Sequence, residues 1–130
     1  MSARTVEHAT FVLERRYRAT PERTFAAWAD PAAKTRWYSD AQSNLELDFR
    51  VGGHERSAGS TPDGRAYRYE ARFHDIVPSE RIVYAYEMFV NGPRISVSLA
   101  TVEFNAAGDG GTHMVFTEQG VFFDGAESAA

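Results

Sequence analysis

Glu118 is the residue in this chain best placed to do chemistry. It shares strand parity with Met114 and Phe116, so a strand over Thr112 to Phe123 turns it inward with them. A carboxyl at the rim of an apolar cavity is pushed toward its neutral form and becomes available as an acid or a base. A paired or solvated carboxylate at the strand end, with Arg56 or Arg68 as its partner, is the preferred reading, and the catalytic role is the alternative. His54 follows Gly52-Gly53 and is a second, weaker catalytic candidate if it faces the same cavity. His74 and His113 alternate with apolar neighbours and point to solvent. Paired histidines one helical turn apart do not occur, so no metal site is expected. Asp48 and Arg50 read as a solvent-face pair beside the Gly52-Gly53 turn, where glycine supplies the positive φ that tight turns demand. The sequence holds no nucleophile elbow, phosphate loop or dinucleotide fingerprint, and no cofactor is implied.

The second group with chemical potential is aromatic. Tyr67, Tyr69, Tyr84 and Tyr86 fall on strands with one parity, and Trp37 and Tyr38 follow a helical segment. Buried tyrosines need partners for their hydroxyls, so several on one face mark a cavity with polar points for a ligand. With Met114, Phe116 and Glu118 they form the expected ligand-binding set. Phe25, Trp28, Phe73 and Phe104 read instead as core.

Elements must position these groups. Thr10 to Ala19 alternates as a half-buried strand. Thr20-Pro21-Glu22 then carries a helix cap, a proline for the first turn and an acid for the dipole. Asp30-Pro31 opens a second short helix that Trp37 closes. Leu45 to Arg50, His54 to Ser60, Tyr67 to His74, Arg81 to Phe89, Arg94 to Asn105 and Thr112 to Phe123 read as six more strands. The short turns between them make consecutive strands antiparallel.

The chain has 130 residues, enough for one domain, and its 43% hydrophobic content supports a core without disulfides, since it has no cysteine. The net charge of −4 and scattered cations argue against nucleic acid. No run approaches the roughly 18 apolar residues of a membrane span. A cytoplasmic protein with no nucleic-acid or membrane partner is expected.

Several motifs in order resemble a known superfamily. Ala19-Thr20-Pro21-Glu22-Arg23-Thr24-Phe25-Ala26-Ala27-Trp28 with Asp30-Pro31 looks like the opening of SRPBCC proteins, the START and polyketide-cyclase-like group. Arg36-Trp37-Tyr38, Asp48-Phe49-Arg50-Val51-Gly52-Gly53, Val77-Pro78-Ser79-Glu80-Arg81-Ile82-Val83 and Thr101-Val102-Glu103-Phe104 continue the pattern, most closely in the branch named for the activator of the Hsp90 ATPase. The resemblance implies an α+β helix-grip fold, a curved seven-stranded antiparallel sheet around a long C-terminal helix. That helix is expected beyond Ala130, or else a homodimer covers the sheet. The expected function is binding of a small hydrophobic ligand. The alternatives are a polyketide-cyclase or hydrolase-type enzyme, and a chaperone cofactor or protein-interaction module.

Overall fold

The computed structural model describes residues 4–30 and 44–124. Its elements are β1 (Val6–Tyr17), α1 (Pro21–Ala29), β2 (Asn44–Leu47), β3 (His54–Ser60), β4 (Ala66–Val77), β5 (Arg81–Val90), β6 (Arg94–Ala106) and β7 (Thr112–Phe123). The strands form one antiparallel sheet in the order β1-β7-β6-β5-β4-β3-β2. The chain thus runs as a meander from β2 to β7, and β1 closes onto β7 across the whole length of both strands. The expected second helix, with Trp37 and Tyr38, lies outside the described residues, as does the segment after Asp124.

Local chemistry explains the punctuation. Thr20 caps α1 by accepting a bond from the Arg23 amide at 3.3 Å, and Pro21 occupies the first turn, where its missing N–H costs nothing. Gly53 has no room for a side chain, because a Cβ there would lie 2.1 Å from the Asp48 carbonyl oxygen. The same turn joins Asp48 to Arg50 through a 2.9 Å ion pair, as the sequence reading proposed.

Alternation sets the faces. On β4, Tyr69, Ala71 and Phe73 are buried, while Arg68, Arg72 and His74 are exposed. Phe25 of α1 drives into this inner face and meets Phe49 and Phe104 edge-on at 5.7 and 5.5 Å. Phe73, Ile82, Ala100 and Val102 complete the floor. The outer face is charged, with the pairs Arg68–Glu70, Arg94–Glu87 and Arg81–Asp75.

Two expectations need correction. The first strand is mostly exposed, with Leu13 at 43% and Tyr17 at 42%, because it is an edge strand and no other strand among the described residues flanks its free side. The second strand ends at Leu47, and Asp48 to Arg50 already belong to the turn, where the Arg50 amide bonds back to the Asp48 carbonyl.

Candidate functional site

The site is built on the inner face where β5, β6 and β7 lie side by side. Tyr86 pairs with Ser98 across β5–β6, and Glu118 pairs with Ala100 across β6–β7. Ser98 and Ala100 are two residues apart on β6, on the same face, and both are small. They leave a trough between the outer two strands. Tyr86 reaches over it, and its hydroxyl donates a hydrogen bond to Glu118 Oε1. Glu118 is 2% exposed, and its Oε2 is buried with no hydrogen-bond partner among the described residues.

Burial fixes the electrostatics of this pair. Desolvation raises the Glu118 pKa above the ordinary carboxylate range, and the bond from Tyr86 opposes that rise. The Tyr86 pKa is raised as well, first by burial and then by the bond to Glu118, so the phenol keeps its proton and acts as the donor. Arg56 and Arg68 do not pair with Glu118. Both sit on the opposite face, and Arg68 binds Glu70 at 2.7 Å.

Aromatic rings surround the pair. Tyr69 and Tyr86 lie 5.1 Å apart, Tyr84 and Tyr86 6.0 Å, and Phe73 and Tyr84 6.0 Å. Trp28 of α1 stacks on Phe116 at 6.5 Å and 24° and lies 6.4 Å from Tyr84. Phe11 of β1 approaches Phe116 at 6.2 Å. Phe11, Trp28 and Phe116 are only half-buried. A groove of about 380 Å³ continues from there along Tyr17, Ala19, Arg23, Thr24, Ala27 and Trp28.

Of the ligand set read from sequence, Tyr69, Tyr84, Tyr86, Phe116 and Glu118 come together. Tyr67 lies apart, over Gly59 at the sheet end. Met114 is buried toward Phe104, its cross-strand neighbour. His54 is a correction: it shares a face with Arg56 and lines a groove of about 330 Å³ on the charged side with Arg72 and His74. It therefore cannot serve an inner cavity. The parity of β3 instead turns Glu55 inward, at 1% exposure, beside Ser57. Sequence reasoning missed Glu55, and it took Trp28 for pure core when its ring also roofs Phe116.

A curved antiparallel sheet with an amphipathic helix against an aromatic inner face defines an α+β helix-grip domain. The family model described as "Activator of Hsp90 ATPase homolog 1-like protein" matches residues 18–130, and the chain belongs to that family. Among solved structures it is similar to Mll3558 from Rhizobium loti, with 48% identity, a TM-score of 0.88, and coverage of 96% of this chain and 87% of that one. An uncharacterized protein from Rhizobium leguminosarum gives 46% identity and a TM-score of 0.87, over 98% of this chain and 88% of that one. An HSP90 activator from Plasmodium falciparum shares the fold at 24% identity and a TM-score of 0.62, over 84% of this chain and 71% of that one. No curated protein matches the chain. Among the described residues, no group of three or more acidic or histidine side chains is placed to hold a metal ion, and no helix is long and apolar enough to cross a membrane.

Proposed function

We propose that this domain binds a small, predominantly apolar molecule against the inner face of its sheet. The observation that carries the reading is Glu118 Oε2, a buried oxygen without a hydrogen-bond partner among the described residues, set within a cluster of aromatic rings. A buried polar atom of this kind is costly unless something satisfies it. The half-buried rings of Phe11, Phe116 and Trp28 supply apolar contact next to it. Native mass spectrometry of the purified chain tests the reading directly. A passenger molecule lost on denaturation is the expected result. A bare mass, together with no change in tryptophan fluorescence on titration with short-chain alcohols, overturns it.

A second reading rests on the same pair. Tyr86 and Glu118 are two titratable groups in contact, which is the minimum that acid–base catalysis of a cyclase or hydrolase type requires. A turnover assay on any molecule recovered by mass spectrometry separates the two readings. Binding without conversion leaves the first. An Hsp90-activating role rests on the shared fold alone.

A further inference from the structure

The wiring of Glu118 says what kind of molecule this face takes. Tyr86 donates to Oε1, and a donated bond favours the ionised carboxylate. The tyrosine thus holds the group as an acceptor, with Oε2 left over. Among the described residues, no arginine, lysine or histidine lies within ion-pair distance of it, so its charge is uncompensated. A hydroxyl or amide on a ligand would satisfy the oxygen but not the charge. A cationic N–H satisfies both, and charge-assisted bonds of this type are about twice as strong as neutral ones. The neighbouring rings add a second term, because the faces of tryptophan, tyrosine and phenylalanine attract organic cations. The other titratable groups on this face of the neighbouring strands are Tyr69 from β4, Tyr84 and Tyr86 from β5, and Glu7, Arg15 and Tyr17 from β1, and the residues of β6 beside Glu118 are uncharged.

We infer that the ligand is a hydrophobic amine, its ammonium N–H directed at Glu118 Oε2 and its apolar body laid over Phe11, Phe116 and Trp28. The inference rests on the small-ligand reading above and adds the charge of the ligand to it. Burial raises the Glu118 pKa, and an ammonium partner would bring it back down, so binding should release protons at mildly acid pH.

Calorimetric titration with three probes of one chain length provides the test: octylammonium, octan-1-ol and octanoate. Octylammonium should bind at least about tenfold tighter than octan-1-ol, a difference of roughly 1.4 kcal/mol, and octanoate should bind weakest. Glu118→Gln should bring octylammonium down to the level of the alcohol. Should that variant fail to fold, pH replaces it: the advantage of the amine in the unmodified chain should shrink as acid protonates Glu118. Equal affinity for amine and alcohol overturns the cation while leaving apolar binding intact, as does an advantage that does not change with pH. Failure of all three probes, with no passenger in the native mass, removes the small-ligand reading itself.

Discussion

Replacing Tyr86 with phenylalanine removes one hydroxyl and almost no volume, so packing with Tyr69 and Tyr84 should survive. What is lost is the only hydrogen bond to the Glu118 side chain among the described residues, a group 2% exposed. Both carboxyl oxygens are then buried without partners. Hydrogen bonds to charged groups contribute about 1.5–3 kcal/mol, against about 0.5–1.5 kcal/mol for neutral pairs. The loss should therefore depend on the protonation of Glu118. At neutral to alkaline pH, where the carboxylate accepts the bond, Tyr86→Phe should cost about 1.5–3 kcal/mol. At pH near 4 the acid is protonated and the cost should drop to about 1 kcal/mol or less. Urea melts of both proteins at several pH values measure this, with equal slopes required so that only stability changes. A double-mutant cycle with Glu118→Gln should return a coupling near 1 kcal/mol or more, since the two groups touch. A cost below about 0.5 kcal/mol at all pH values, or zero coupling, would refute the claim that this bond holds a buried charge.

Glu118→Gln should flatten the pH dependence of stability. The folded-state pKa is raised by burial, so the native state holds its proton more tightly than the unfolded one. The contribution of the group is therefore fully present below the unfolded-state value and is lost as pH rises through the folded one, and stability falls with rising pH across that window. The amide has no such window, so melts of the variant should show a smaller decline. Phe73→Ala should cost about 3–5 kcal/mol in a urea melt, since the ring is 2% exposed and meets Phe49 at 5.0 Å. Gly53→Ala should destabilise by about 1–3 kcal/mol, because its methyl meets backbone that cannot swing away. Ala100→Leu, at a position with no exposure, should cost a similar 1–3 kcal/mol by overpacking. It should also part Tyr86 from Glu118, and with the opposing bond gone the decline of stability with rising pH should steepen.

The sheet was legible where one face is apolar and the other is not. Tyr67 to His74 alternates so cleanly that only one register buries Tyr69, Ala71 and Phe73 together. The same logic turned Glu118 inward beside Met114 and Phe116. It failed on β3, where His54-Glu55-Arg56-Ser57-Ala58-Gly59-Ser60 offers no apolar contrast to say which parity is inside. The structure buries Glu55 and Ser57 there and leaves His54 outside, the opposite of the histidine reading. β1 misled for a different reason. Its apolar residues are real, but among the described residues this edge strand has a neighbouring strand on one side only, and Leu13 and Tyr17 stay exposed. The partner of Glu118 was out of reach of any local argument. Tyr86 lies 32 residues away and on a strand that does not touch β7.

That last contact shows how the sheet makes a site from a choice of small residues. Neighbouring strands stand about 4.8 Å apart, so β5 and β7 are separated by about twice that distance. Two side chains span such a gap only if the strand between them carries nothing tall at the crossing. β6 meets this condition with Ser98 and Ala100, flanked by Ser96 on the same face. On β7, Gly120 extends the condition, because a Cβ there would sit 3.0 Å from Ser98 Oγ and 2.8 Å from the Phe122 ring. Beyond the trough, Val102 and Phe104 return β6 to ordinary core, packed under Phe25. One strand thus divides into a tall half that stabilises the domain and a low half that lets Tyr86 reach Glu118. Buried serines and alanines in mid-strand add little to a hydrophobic core, since they bring little apolar area. Their place here is explained by what passes over them.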